Sequence, residues 1–404
     1  MNTLVYDYKS ISGRVFSKMH QMTTYLAMFP PTLPYVIIKN FSKEGDIVYD
    51  PFCGRGTATF EACRLGRIGI GNDLNPLAYI LSKAKSDLPR KESIMKRIFE
   101  LENNYTNIDI THIPDEIKML FDNETTLPQL EYLKKNLQKS DKIDIFILAV
   151  LTGILHGKAK KDNSSIYCSV SMPNTFSMSP NYVKNFIEKH NLQPPKQNVF
   201  ALLKDRIDKL FTIKEKYIEY QSLDKYKQGE VFNTDAIEAT KLVKRKFGNN
   251  SVQLIITSPP YLKVINYGKY NWIRLWLLNE NTEQVDNRVT LYQRLQNQNL
   301  KDNMNLQEYS KYMFKLFNSW EYILRKGGYA FVVMGDVKIG SKVINLANET
   351  WNNIQKIGNC NLKLVDILED NIENDDKQKK VTKIWGSKRG NATRIDRIII
   401  LKKE

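Results

Sequence analysis

The sequence predicts an α/β fold: a mixed sheet with helices on both faces, interrupted by a mainly helical insertion. Three observations lead there. "GDIVYDPFCGRGTATFEACRLGRIGIGND" reads as strand, glycine turn, helix and second strand. "VQLIITSPPY" reads as a buried strand that stops at two prolines. Between them, residues 86–227 read mainly as helix, which divides the chain into 1–85 with 228–404 and an inserted 86–227.

In the first motif, Ile47 to Tyr49 form a short apolar strand that ends at Asp50, and Gly54 and Gly56 make a tight turn. Thr57 to Leu65 then form a helix. Glycines let the backbone approach a ligand closely, and the free N–H groups of a helix start favour its negative end. The next strand, Arg67 to Asn72, runs into Asp73, about where a carboxylate can take both hydroxyls of a ribose. A dinucleotide fingerprint would need a third glycine where Thr59 stands, so the turn leans away from a dinucleotide.

In the insertion, "DKIDIFILAVLTGILHG" is a strongly apolar helix, and "VFALLKDRIDKLFTIKEKYIEY" is amphipathic with apolar residues near 3.6 spacing. His156, before Gly157, reads as a helix C-cap. "SSIYCSVSMPNTFSMSPNYV" is a polar loop whose side chains, Asn174 among them, suit reading base edges; a plain connecting loop is the alternative. After the prolines, "YGKYNWIRLWLL" reads as core packing that includes Arg274, with Tyr267 and Asn271 as candidates to face a pocket. "NENTEQVDNRVTLYQRLQNQNLKDNMN" reads as a polar, irregular excursion. "EDNIENDDKQKKVTKIWGSKRGNATR" reads as a loop turning from acidic to basic, with Lys388, Arg389 and Arg394 as candidate phosphate contacts or a solvated face.

Composition bounds the partners. The chain has 404 residues, 42% hydrophobic and 11% aromatic, ordinary values for one large domain with an elaboration or for two domains. A net charge of +16 points to an anionic partner, most simply nucleic acid, unless a Lys-, Asn- and Ile-rich composition is its sole cause. Residues 85–225 hold 22 Lys and Arg against 19 Asp and Glu, so most of the excess lies with the flanking motifs. No apolar run approaches the roughly 20 residues that cross a bilayer, and the N-terminus lacks a signal-peptide core. The expectation is a soluble, cytoplasmic protein with no membrane partner. Cys53, Cys63, Cys168, Cys360 and the four histidines show neither CxxC nor HxxxH spacing, so no metal site is expected.

"DPFCGRGT" resembles the S-adenosylmethionine loop of DNA amino-methyltransferases, and "TSPPY" resembles their catalytic loop. "HQMTTYLAMFPPTLPYVIIKNFS" is similar to the segment that covers the methionine end of the cofactor. "GEVFNTDAIE", "LRKGGYAFVVMGDV" and "RIDRIIILKK" resemble, in turn, the strand before an adenine-contacting acid, the fifth strand and the antiparallel last strand. The resemblance covers residues 18–85 and 228–401. It implies a Rossmann-like class I methyltransferase with a seven-stranded mixed sheet. It also implies cofactor contacts from Phe29, Pro30, Asp50, Pro51, Phe52, Gly54, Gly56, Thr57, Asp73, Asn75 and Asp235, and a catalytic set of Ser258, Pro259, Pro260 and Tyr261. The order departs from the family's usual plans, in which target recognition lies between the Asp235-type strand and the catalytic strand. That leaves the place of target reading open.

The two prolines then have a chemical reason. An exocyclic amine is a poor nucleophile because its lone pair is delocalised into the ring. Accepting both N–H hydrogens localises that pair as nitrogen attacks a sulfonium methyl. Ser258 Oγ supplies one acceptor and the Pro259 carbonyl another, held by prolines that fix φ near −65°. Tyr261 is suited to stack on a base swung out of double-stranded DNA. In the resembling family, Ser at the first position goes mostly with cytosine N4, and Asp or Asn mostly with adenine N6. Cytosine C5 chemistry needs a catalytic Pro-Cys pair, and none occurs. The reading is therefore an N4-cytosine DNA methyltransferase of restriction-modification type, with a cognate restriction endonuclease as a possible partner. Adenine-N6 methylation is its rival. RNA or protein amide methylation, or nucleic-acid binding without catalysis, are rivals from other classes.

Overall fold

The computed structural model describes residues 7–25, 30–158, 165–172, 179–260, 268–289, 302–339, 342–371 and 391–404. Helix α1 (Thr32–Phe41) precedes β1 (Ile47–Asp50), α2 (Thr57–Arg64), β2 (Ile68–Asn72) and α3 (Pro76–Ser86). Residues 86–227 supply α4 (Lys91–Asn103), α5 (Thr126–Asn136), α6 (Lys142–Ile154), the short strands β3 (Gly157–Lys158) and β4 (Ser171–Met172), α7 (Pro180–His190) and α8 (Val199–Phe211). The chain returns through β5 (Glu230–Phe232), α9 (Ala236–Phe247), β6 (Val252–Thr257), α10 (Trp272–Leu277), α11 (Thr282–Val289) and α12 (Asp302–Trp320). It closes with β7 (Leu324–Ile339), β8 (Lys342–Ile344), α13 (Leu346–Ile357), β9 (Lys363–Asn371) and β10 (Asn391–Lys402).

Seven strands run in the order β5-β2-β1-β6-β7-β10-β9, and β8 pairs with β7 off that path. The first five are mutually parallel, and β10 is antiparallel to both its neighbours. The resemblance implied a seven-stranded mixed sheet with an antiparallel last strand; the antiparallel last strand is present, and β8 adds an eighth strand. From β1 the chain winds outward to β2 and β5, then returns to β6 on the other side of β1. The connections after β1 and β6 therefore diverge and leave a crevice at the carboxyl ends of these two strands, the usual ligand site of an open α/β sheet.

Period-two alternation assigns the sheet's two faces. Tyr49, Ile255, Val332 and Ile399 pack with α9, α12 and α13, whereas Val48, Leu254, Ile256, Phe331, Val333 and Ile398 pack with α1 and α2. Helices from residues 86–227 make a further apolar layer. Phe146, Leu148 and Leu151 of α6 and Phe200 and Leu203 of α8 share one buried cluster with Leu77 and Leu81 of α3 and Ile273 and Leu275 of α10. The two helices expected in this range span Lys142–Ile154 and Val199–Phe211. His156 lies two residues beyond the end of α6, buried, with its pKa held well below the ordinary value by desolvation.

Two expected irregular stretches are more regular than their composition suggests. The polar excursion contains α11, where Asn281 Oδ1 accepts the Gln284 N–H at 2.9 Å and Val285 and Asp286 are buried. An Asn-x-x-Gln start is a helix signal that low hydrophobicity hides. The acidic-to-basic loop is shorter than expected, since β9 extends to Asn371 and β10 begins at Asn391, pairing with Lys338 of β7. Backbone pairing continues there without apolar side chains to announce it.

Candidate active site

The crevice is lined by the ends of β1, β2, β5 and β6. After Asp50 the chain turns through Gly54 and Gly56, at φ of +51° and +75°. A Cβ at Gly56 would lie 2.4 Å from Ser82 Oγ and 2.8 Å from Ser82 Cα, so α3 can approach this turn only because no side chain is present. Asp73, after β2, accepts the Gly54 N–H through Oδ2 and the Asn75 N–H through Oδ1, both at 2.9 Å. Its carboxylate thus folds the glycine turn onto the start of α3. Asn75 caps α3 by accepting the Leu77 N–H at 3.0 Å, and its Nδ2 donates to Tyr25 Oη at 2.9 Å. The Tyr25 ring faces the glycine turn, 3.5 Å from where a Gly54 Cβ would stand.

Asn72 ties the loops together. Its Nδ2 donates to the carbonyls of Pro51 and Thr234 at 3.1 and 3.0 Å, and its Oδ1 accepts the Thr234 N–H at 3.2 Å. Asn233 Nδ2 donates to the Asp73 carbonyl at 2.7 Å. Asp235 then caps α9 through the Ile237 N–H at 2.9 Å and accepts a hydrogen bond from Tyr312 Oη at 3.2 Å. The acids after β1, β2 and β5 thereby belong to one hydrogen-bonded rim.

Strand β6 delivers the other half. Thr257 Oγ1 donates to Asp50 Oδ1 at 2.7 Å, and Phe52 N–H donates to the same oxygen at 3.2 Å. Ser258 and Pro260 follow half-buried, with Pro259 buried between them. The glycine turn and the serine-proline segment therefore start from a shared hydrogen bond.

Burial dominates the electrostatics. Desolvation pushes the Asp50 carboxyl up to about 7 against the Thr257 and Phe52 hydrogen bonds, and lifts Asp73 to about 6 against its backbone donors. Among the described residues, no basic side chain offsets burial at either acid. Beneath the turn, Arg55 Nη1 donates to the His20 carbonyl at 2.5 Å, and His20 Nε2 meets Glu61 Oε1 at 2.8 Å. Arg64 also binds Glu61, and burial lowers His20 to about 4, so its ring is neutral at pH 7.

The N6/N4 DNA methylase family profile matches residues 3–83, the stretch that carries Tyr25, the glycine turn and Asp73. Over that stretch this chain is similar to the N6/N4 DNA methylases. The Type II methyltransferase M.BsoBI of Geobacillus stearothermophilus is 25% identical over 292 residues, 66% of this chain and 54% of that protein. M.MvaI of Kocuria varians, also a Type II methyltransferase, is 21% identical over 294 residues, 66% and 60% of the respective chains. The match thus spans 54% to 60% of the length of these curated relatives. Among solved structures, an rRNA methyltransferase from Streptomyces viridochromogenes aligns over 98% of this chain and 92% of its own at 10% identity. Its TM-score of 0.34 adds nothing to the topology described above.

The cofactor of the N6/N4 methylases is S-adenosylmethionine, and the crevice fits it. Two acids with no compensating cation among the described residues suit a ligand with a sulfonium and an ammonium group, and glycines at positions 54 and 56 leave the turn free of side chains there. Of the site residues expected from sequence, Pro30, Asp50, Pro51, Phe52, Gly54, Gly56, Thr57, Asp73, Asn75, Asp235, Ser258, Pro259 and Pro260 are placed in the structure. Phe29 and Tyr261 lie outside the described residues, as do Asn174, Tyr267, Lys388 and Arg389 and the side chain of Arg394. Asn271 is buried and hydrogen-bonded to Arg274 at 3.0 Å. Sequence reasoning missed Tyr25, Asn72 and Thr257 as parts of the site. Only Thr257 carried a local signal, as the last residue of β6 before Ser258.

Proposed function

We propose that this chain transfers the methyl group of S-adenosylmethionine to the exocyclic N4 amine of cytosine in double-stranded DNA. The observation that carries the reading is the Thr257–Asp50 hydrogen bond, which sets Ser258-Pro259-Pro260 beside the glycine turn. The turn residues Asp50 to Thr57 together with Asp73, Asn75, Asp235, Pro30 and Phe29 would hold the cofactor. When bound, the cofactor supplies an electrophilic methyl group on a positively charged sulfur. Ser258 Oγ and the Pro259 carbonyl accept the two amine hydrogens, so the nitrogen lone pair is localised and aimed toward the turn. Tyr261 stacks on the extruded base. Transfer would be direct, without a covalent enzyme intermediate: the N–C bond would form as the methyl–sulfur bond breaks, S-adenosylhomocysteine would leave, and the amine would shed one proton to solvent along its Ser258 hydrogen bond. Ser rather than Asp or Asn at position 258 supports cytosine over adenine.

Target reading is assigned to the insertion, residues 86–227. Its helix α6 ends beside the cofactor-side segment, where Thr23 Oγ1 and Thr152 Oγ1 are 2.9 Å apart. The next described stretch is pinned there too: the Cys168 and Ser169 N–H groups donate to the Ile154 and Leu155 carbonyls at 3.0 and 3.1 Å. The polar segment around residues 165–185 thus starts from the rim of the crevice. The +16 charge suits the DNA backbone. A cognate endonuclease is the proposed partner and the cytoplasm the proposed location. No described helix is long and apolar enough to cross a membrane.

The test is nucleoside mass spectrometry of unmethylated DNA incubated with the protein and S-adenosylmethionine. N4-methylcytosine is the expected product. N6-methyladenine would keep the two-acceptor chemistry and overturn the base assignment. No modified base would move the substrate to RNA or protein, or leave a binding role.

A further inference from the structure

Arg274, on α10, is 1% exposed. Its Nε donates to the Thr152 carbonyl at 3.1 Å, Nη1 to the Thr24 carbonyl and to Asn271 Oδ1 at 3.0 Å each, and Nη2 to Thr24 Oγ1 at 3.0 Å. These acceptors come from three chain segments. Asn271 closes the turn by which the chain re-enters after the Ser258-Pro259-Pro260 segment. Thr24 precedes Tyr25, which lies over Gly54 and bonds Asn75. Thr152 belongs to the insertion helix α6, whose next residue, Gly153, packs so closely that a Cβ would fall 2.0 Å from the Met22 carbonyl.

We propose that Arg274 is a positioning residue that locks the exit of the catalytic segment to the segment lying over the cofactor turn. The proposal rests on the reading of the crevice as a methyl-transfer site. Burying a guanidinium among Trp272, Ile273, Leu275 and Leu277 is costly, and an aliphatic side chain would fill the same volume. What an aliphatic side chain cannot do is donate in three directions from one rigid plane. A lysine also falls short, because its ammonium is a compact charge without the planar fork. The sequence separations of 122 residues to Thr152 and 250 to Thr24 make this a junction of the whole fold. Asp286 secures the same exit turn by accepting the Gly268 and Lys269 N–H groups at 2.7 and 3.1 Å.

The test compares the full-length wild type, Arg274→Lys and Asn271→Ala by amide hydrogen exchange, S-adenosylhomocysteine binding and steady-state kinetics. In Arg274→Lys, exchange is expected to rise about tenfold in residues 20–25 and 268–272 together, an opening free energy lower by roughly 1.4 kcal/mol. Turnover should fall by about the same factor with KM for DNA unchanged, the signature of lost alignment rather than lost binding. Asn271→Ala removes one acceptor and should raise exchange at residues 20–25 as well, even if Arg274→Lys fails to fold. Wild-type exchange at residues 20–25 in Asn271→Ala overturns the proposal. So does a parallel fall of melting temperature, cofactor affinity and turnover in Arg274→Lys, which is a purely structural signature. Absence of methyl transfer by the wild type would instead overturn the proposed function, and the exchange measurement would still decide on Arg274.

Discussion

Thr257 Oγ1 and Asp50 Oδ1, 207 residues apart in sequence, share a buried hydrogen bond of 2.7 Å that joins the start of the glycine turn to the end of β6. Thr257→Val keeps the shape and removes the donor. A buried carboxylate that loses such a donor costs about 1–3 kcal/mol. Cofactor-analogue affinity by calorimetry should drop about tenfold, roughly 1.4 kcal/mol, and Thr257→Ser should retain most of it. Equal affinities in Thr257→Val and wild type would show that the two motifs are adjacent without being coupled.

The raised carboxyls give a pH signature. Asp50 at about 7 and Asp73 at about 6 are partly protonated near neutrality in the free protein. A cationic ligand favours their ionised forms, so S-adenosylmethionine affinity should rise from about pH 5.5 to 7.5 and then level off. Stability runs the other way. Because both folded values exceed the ordinary 3.8, these acids contribute stability that is fully present below that value and lost as pH rises through about 6 to 7. Calorimetric titrations across this range, with Asp50→Asn for comparison, measure both; an affinity falling with pH would refute the assignment.

Three glycines should respond differently to alanine. Gly54→Ala meets only ordinary contacts with Tyr25 and so costs about 1–2 kcal/mol for its left-handed backbone. Gly56→Ala adds a collision with the Ser82 backbone, and Gly153→Ala a collision with the Met22 carbonyl, so each should cost several kcal/mol. Denaturant unfolding gives the ranking, and a Gly56→Ala protein as stable as Gly54→Ala would contradict the packing of α3 against the turn.

Ser258→Ala should abolish detectable methyl transfer while S-adenosylhomocysteine binding stays within about twofold, since a transition-state acceptor contributes little to cofactor affinity. Asp73→Ala should do the converse, weakening binding tenfold or more, roughly 1.4 kcal/mol. Near-normal turnover in Ser258→Ala would remove the serine from the proposed chemistry.

Replacing residues 165–185 with the corresponding segment of a related methylase should change which sites in a plasmid become methylated, read by sequencing, while transfer chemistry is preserved. An unchanged site preference would move target reading elsewhere in the chain.

The parts of this fold that were legible from residues alone are those governed by local physics. Asp50, Gly54, Gly56 and Asp73 could be placed because strand alternation and left-handed turns act within a few residues. Helix α6 announced itself by its apolar run. Helix α11 did not, because its cap and two buried residues are set in a polar sequence. The extra length of β9 and β10 was hidden because strand pairing draws on backbone groups that every residue carries.

The sequence by itself determined which acids, glycines and hydroxyl stand at the strand ends. Tertiary structure alone decided how those groups are held. Arg274 reads as one more residue of an apolar helix until Thr24, Thr152 and Asn271 surround it, and Asn72 as an ordinary strand end until it bridges Pro51 and Thr234. Hydrogen bonds between side chains and distant backbone leave no periodic trace in a sequence. They depend on where unrelated segments meet, which only the folded chain specifies.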